Sequence, residues 1–294
     1  MSNIIYRAVG EEEIPATVEL FLEAVEQLYV RRNMPVPSMP RASVESAFRH
    51  VFRTGIFRVA ESDGEIILIA HAVVRDTLWF LSGFWARPER VGGGVGGRLL
   101  REVWQAGAAE GARKFFVWSS SDHTAIASYL KVGMLPGYQI FSFSGRPVEL
   151  PRAPAGYTVE TLSLEAACEI DLVVRETRRD VDHRYWLSEV KFEGRQVRDP
   201  RGRLVGYYYF KDESFGPAAW TEADAAQALL TLGCREATSA APDAVTTLRV
   251  PGINHDAIRF ALKHGLRLAA MSQLLTNAPF GRMEQYLASG PTLF

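Results

Sequence analysis

From Ile14 to Val30 the apolar residues Val18, Phe21, Leu22, Val25, Leu28 and Tyr29 recur at three- and four-residue spacing, which predicts a helix with one buried face. A β-prone run, Ile4 to Ala8, precedes it. Pro35, Pro37 and Pro40 then break the pattern, and Ser43 is the expected N-cap of a second helix reaching about Phe52. The period next changes. Gly55–Glu61 and Glu65–Val74 read as strands flanking Asp63-Gly64, a strong hairpin signal, and Leu78–Phe84 completes a three-stranded meander. A glycine-rich turn leads into a helix over Val95–Glu110. After that come a strand at Lys114–Ser119, a helix at Thr124–Lys131 closed by Gly133, and a strand at Tyr138–Phe143.

Pro147, Pro151 and Pro154 mark a linker, and beyond it the same order of elements starts again. A strand is expected near Tyr157–Glu160 and helices over Leu164–Thr177 and near Asp182–Lys191. Two strands follow around Asp199-Pro200-Arg201-Gly202, the second ending in Tyr207, Tyr208, Tyr209 and Phe210. The repeat is also literal: DHTAIASYLKVGML, Asp122 to Leu135, lies over NHDAIRFALKHGLR, Asn254 to Arg267, without a gap. These signals divide the chain into a first domain over 1–145, a linker over 146–155 and a second domain over 156–294.

The 294 residues fit two domains of ordinary size, and a 47% hydrophobic content is ordinary globular composition. A net charge of −1 supplies no basic footprint for nucleic acid or for an anionic membrane surface. Two cysteines, Cys168 and Cys234, are too few for a disulfide scaffold, and the six histidines show no metal-ligand spacing. The first residues lack the pattern of a signal peptide, and no apolar run is long enough to span a bilayer. The expectation is a cytoplasmic protein with no metal, membrane or nucleic-acid partner.

The stretch richest in chemistry is Trp79 to Leu100, where a strand enters five glycines (Gly92, Gly93, Gly94, Gly96 and Gly97) and a helix leaves them. Glycines let backbone N–H groups converge, and the first turn of the helix adds unpaired donors and the positive end of its dipole. Such a place suits a phosphate or pyrophosphate. A P-loop would need Gly-Lys-Ser/Thr, and Gly97 is followed by Arg98-Leu99. A dinucleotide fingerprint belongs in a βαβ unit, whereas this loop follows an antiparallel meander.

A meander, this loop, a strand and a helix bearing a tyrosine together resemble the GCN5-related N-acetyltransferase (GNAT) superfamily. Motifs carry the resemblance over about residues 3–143; element order and the helix repeat carry it over about 156–280. It implies an α/β fold with a mixed sheet, as two tandem GNAT-like domains, and acetyl-CoA as co-substrate. By the same resemblance, pantetheine would bond the strand backbone at Phe84, Trp85 and Ala86. The pyrophosphate would rest on the loop at Val91, Gly92, Gly93, Gly94, Val95, Gly96 and Gly97. Tyr129 falls on the family's general acid in the pattern Asp122-x-x-Ala125-x-x-x-Tyr129-x-x-x-Gly133, with Asp122 where the family has asparagine. Val91 stands where the family has Arg or Gln, and Gly133-Met134 where it has Gly-Phe.

The implied chemistry is attack of a neutral amine on a thioester, with a phenol of pKa near ~10 protonating a thiolate of pKa near ~8.5. No general base stands out among Glu19, Glu23, Glu26, Asp122 and His123. The acceptor is expected to be a small-molecule amine. A protein acetyltransferase and a non-catalytic acyl-CoA-binding module remain the alternatives. In the second half Ala261 stands for Tyr129. The counterpart of the glycine loop, Phe215–Leu230, holds one glycine and brings Glu222 and Asp224, with Thr221 or Asp224 as a cap. The second half is therefore expected to keep the fold and lose acetyl-CoA, leaving it to shape the acceptor pocket, stabilise the first half or form a homodimer.

Overall fold

The computed structural model describes residues 4–87, 94–239 and 243–294. The chain forms two compact units, one of Met1–Val117 with His123–Met134, the other of Trp118–Asp122 with Leu135–Phe294.

The first unit runs β1 (Ile4–Ala8), α1 (Ile14–Arg31), α2 (Arg41–Thr54), β2 (Ile56–Ser62), β3 (Glu65–Arg75), β4 (Leu78–Ala86), α3 (Val95–Ala109), most of β5 (Lys114–Ser119) and α4 (His123–Lys131). Strands β1 to β4 form an antiparallel meander, and β5 adds in parallel to β4. The β2–β3 turn places Asp63 at φ 55° and Gly64 at φ 81°, as a two-residue type I′ hairpin requires. Helix α2 starts two residues before the expected Ser43 cap. Pro40 is its N-cap, and its carbonyl accepts from the amides of Ser43 (2.9 Å) and Val44 (3.2 Å). A proline fixes its own φ, −59° here, and so can open a helix without a side-chain cap. Ile14, Val18, Phe48, Phe57 and Ile69 bury one face of this sheet under α1 and α2.

The second unit takes β6 (Leu135–Gly145) and then β7 (Thr158–Thr161), α5 (Leu164–Arg175), α6 (Asp180–Tyr185), β8 (Glu193–Arg198), β9 (Leu204–Lys211), β10 (Ser214–Trp220), α7 (Ala223–Ala237), β11 (Thr246–Pro251), α8 (His255–Lys263), β12 (Arg267–Thr276) and β13 (Tyr286–Leu287). The expected helix over 182–191 starts at Asp180 and is continued after Tyr185 by a wider π turn, Trp186–Val190. Strand order is β12-β6-β11-β10-β9-β8-β7, with β13 on β10. Strand β6, which precedes the linker, thus lies between two strands of the second repeat. Contacts and repeat divide the chain at different places.

The repeat is reproduced residue for residue. Helices α4 and α8 have nine residues each, β5 and β11 six, and α3 and α7 fifteen. Gly133 (φ 92°) and Gly265 (φ 84°) end the two short helices in the left-handed conformation that glycine adopts without strain. The β6–β12 ladder is reciprocal in the repeat. Leu135 pairs with Thr276, and the counterparts of those two residues, Arg267 and Ser144, pair with each other.

Candidate active site

Strand β4 carries the geometry that matters. Its register against β3 shifts between Ala72↔Leu81 and His71↔Gly83, which makes Ser82 the extra residue of a β-bulge. On its other side the parallel ladder with β5 runs only from Leu78↔Lys114 to Leu81↔Val117. Among the described ladders, Gly83–Ala86 pair with β3 alone. Half of β4 therefore offers backbone donors and acceptors to an extended ligand, as a sheet edge does.

Gly94, at φ 80°, is the N-cap of α3, and an added Cβ would meet nothing within 4 Å among the described residues. The first turn of α3 contains no acidic residue. The amide of Arg98 bonds the Gly94 carbonyl at 3.2 Å, so the amides of Val95, Gly96 and Gly97 precede the helical ladder. A Cβ on Gly96 would lie 3.1 Å from Phe84 Cζ, so the start of the helix rests on the second half of β4. At Gly97 the nearest atom is Arg101 Nη1 at 3.6 Å, an ordinary contact. Val91, Gly92 and Gly93 lie outside the described residues. An open N-terminal turn beside an incompletely paired strand fits a ligand with a phosphate group and an amide-bearing arm.

Tyr129 is buried, and its ring centroid lies 6.0 Å from that of Phe84 at an interplanar angle of 58°. Its carbonyl accepts from the amide of Met134 at 3.1 Å, across Gly133. Phe84, Gly96 and Tyr129 thus come together on one face of the sheet. Trp85 takes the opposite face, edge-on to Phe21 of α1 at 5.2 Å, and Ala86 pairs with Leu68. Asp122 immediately precedes α4, and its amide donates to Ser120 Oγ at 3.3 Å. Among the candidate bases, Glu19 pairs with Arg41, Glu23 with Arg87 at 2.6 Å, and Glu26 is exposed.

No motif in the sequence marks His71. It alternates with Ile69 and Val73 on β3, so its signal was a histidine at an apolar register position. It is 1% exposed, neither ring nitrogen has a hydrogen-bond partner among the described residues, and burial pushes its pKa down to about 3. The ring lies 4.7 Å from Phe48 and 4.6 Å from Phe57. It fills the space that Gly83, at the bulge, leaves open, where a Cβ would be 2.2 Å from Nε2.

The second unit differs at each corresponding point. Ala261 is fully buried, and no phenol replaces Tyr129. Residues Phe215–Trp220 belong to β10, so the counterpart of the glycine loop is only Thr221 and Glu222. Neither Thr221 nor Asp224 caps α7. Glu222 is the N-cap residue, without a side-chain cap bond, and pairs with Arg203 at 2.9 Å. Among the described residues no group of three or more His, Cys, Asp or Glu could hold a metal ion, and no helix is long and apolar enough to cross a membrane.

Comparison with known proteins bears on the fold. Residues 22–134 match the model of the Acetyltransferase (GNAT) family. That match spans 113 of the 294 residues, and the fold of the chain is that of tandem GNAT proteins. A candidate acetyltransferase from Pyrococcus horikoshii is 14% identical with a TM-score of 0.72, over 100% of this chain and 93% of the other. A GCN5-related N-acetyltransferase from Sphaerobacter thermophilus is 16% identical, TM-score 0.64, over 93% and 95% of the two chains. A tandem GNAT protein from the clavulanic acid biosynthesis pathway is 14% identical, TM-score 0.61, over 94% and 99%. At these identities the structures speak for the fold alone. No curated protein matches the chain in sequence.

Proposed function

We propose that the chain is an acetyl-CoA-dependent N-acetyltransferase that transfers acetyl directly to a small-molecule amine within a ternary complex in the cytoplasm. The observation that carries this reading is the end of the β4–β5 ladder at Leu81 and Val117, directly after which β4 bulges and runs on beside the N-terminus of α3. Backbone groups of Phe84–Ala86 would bond the pantetheine amides, and the first-turn amides of α3, with Gly94, would face the pyrophosphate.

An N–H on the edge of β4 beyond its described ladder with β5 would stabilise the oxyanion as the amine nitrogen bonds the carbonyl carbon and the carbon–sulfur bond breaks. Tyr129 would give its proton to the leaving thiolate and recover one from solvent. The amine arrives neutral and loses its extra proton to water, so the step needs no resident base. A net charge of −1 and the lack of a peptide- or nucleic-acid-binding module support a small acceptor.

The test is thiol release from acetyl-CoA across a panel of primary amines, alongside acetyl-lysine mass spectrometry of extract proteins. Turnover with an amine that Tyr129→Phe reduces without weakening acetyl-CoA binding supports the reading. Acetyl-CoA binding with no turnover on either arm identifies a binding module instead.

A further inference from the structure

Strands β10 and β11 hold in the second unit the places of β4 and β5 in the first. Their direct pairing is shorter still, a single parallel pair, Ser214↔Thr247. Beyond it the gap is filled. Strand β13 pairs with β10 at Ala218↔Leu287 and Ala219↔Tyr286, and on the other side the Ala288 amide donates to the Arg249 carbonyl at 2.9 Å. One segment therefore satisfies both edges of the gap. Tyr286, Leu287 and Ala288 are all 0% exposed.

The surroundings are shaped to this segment. A Cβ on Gly216 (φ 126°) would lie 3.0 Å from the Ala288 carbonyl oxygen, so β10 admits the segment at glycine distance. Arg249 donates to the Ser289 carbonyl at 3.0 Å, and the Tyr286 hydroxyl accepts from Arg179 at 3.2 Å. Asn254, the buried N-cap of α8, uses both ends of its amide. Its Oδ1 accepts from the Ala257 amide at 3.1 Å, and its Nδ2 donates to the Tyr286 carbonyl at 3.0 Å. The counterpart of Asn254 in the first repeat is Asp122, whose carboxylate has no N–H to give.

We infer that Tyr286–Ala288 is a built-in strand occupying the second unit's counterpart of the acyl-CoA slot, clamped there by Asn254, so that the chain carries one acyl-CoA site and not two. The assignment of the gap as an acyl-CoA slot rests on the proposed function. The occupancy does not. Opening the second slot would expose two strand edges and three buried side chains. Loss of acyl-CoA in this unit is thus a matter of backbone occupancy as well as of the missing glycines.

Amide hydrogen exchange of the full chain, with and without millimolar acetyl-CoA, tests this. The Ala288 amide should exchange at least about a hundredfold more slowly than an unstructured reference, equally in both conditions. Rapid exchange over residues 285–289, or loss of their protection when acetyl-CoA is added, overturns the inference, as does a second equivalent of acetyl-CoA bound per chain. Asn254→Asp keeps the helix-capping oxygen and removes the clamp. It should speed Ala288 exchange about tenfold or more while α8 stays protected, and an unchanged rate refutes the clamp. If residues 83–87 and 94–97 gain no protection from acetyl-CoA, the proposed function fails while the result at 285–289 stands.

Discussion

His71 makes an acid-dependent contribution whose size follows from its surroundings. Its two ring nitrogens have no hydrogen-bond partner among the described residues, and burial lowers its pKa from 6.5 to about 3. The unfolded chain takes up the proton first, because its histidine keeps the higher value. The stability that depends on a neutral His71 is therefore complete above about pH 6.5 and is lost as pH falls toward about 3. At one pKa unit per 1.36 kcal/mol the whole loss is about 5 kcal/mol, of which about 2 kcal/mol is reached by pH 5. His71→Leu replaces the ring with a side chain of similar bulk that cannot titrate. At pH 7 it removes two unsatisfied buried atoms, worth about 1–3 kcal/mol, and gives up ring contacts with Phe48 and Phe57 worth about 1 kcal/mol. The wild-type and variant curves of unfolding free energy, from urea titrations between pH 8 and pH 5, should diverge on the acid side by about 2 kcal/mol in the variant's favour. Parallel curves would show that His71 is hydrated or hydrogen-bonded in solution, and the account of its burial would be wrong.

Asp171 should behave as the opposite kind of group. Fully buried, it accepts from Arg179 Nε (2.6 Å) and Tyr207 Oη (2.6 Å), and it lies 2.9 Å from His183 Nε2. Burial opposes its charge, but Arg179 and His183 outweigh burial and hold its carboxyl well below the usual range. Asp171→Asn should cost about 3–5 kcal/mol at pH 7 by leaving a buried guanidinium without its counter-ion, read as a lower urea midpoint. The difference should narrow as pH falls below about 4 toward the folded value; a constant difference would contradict the ion pair. Tyr129→Phe keeps the packing against Phe84 and should reduce kcat by about 10²- to 10⁴-fold with acetyl-CoA affinity nearly unchanged, and a twofold effect would reduce Tyr129 to a packing residue.

Local signals were legible in the sequence. Asp63-Gly64 specified its hairpin because both positions need φ > 0, and the apolar spacing of Ile14–Val30 predicted α1 almost to its ends. The gapless match of Asp122–Leu135 to Asn254–Arg267 announced the repeat that the equal lengths of α4 and α8 reproduce. Phe84, Gly96 and Tyr129 could be named from the resemblance; their juxtaposition depends on a bulge at Ser82 that no side-chain pattern reveals. Non-local pairing was out of reach. A strand written as the end of the first repeat lies between β11 and β12, and two residues of a tail without periodicity, Tyr286 and Leu287, complete the edge of β10. Neither choice leaves a local trace, because register is settled by partners more than a hundred residues away or by a single close approach such as Gly216 to Ala288. His71 was invisible for a related reason, since a histidine in an alternating strand looks the same whether its nitrogens find partners or not.

Calorimetric titration of the full chain with acetyl-CoA, beside a variant carrying Gly94→Glu and Gly96→Glu, decides whether β4 and the N-terminus of α3 hold the co-substrate. Among the described residues nothing lies within 4 Å of a Cβ on Gly94, whereas one on Gly96 lies against Phe84, so the first carboxylate stands at the N-terminus of α3 and the second crowds the edge of β4. One site per chain is expected in the wild type and no measurable binding in the variant, with the far-ultraviolet circular dichroism of a folded protein in both. Binding that survives the two glutamates, or a wild type that binds no acetyl-CoA, would contradict that expectation.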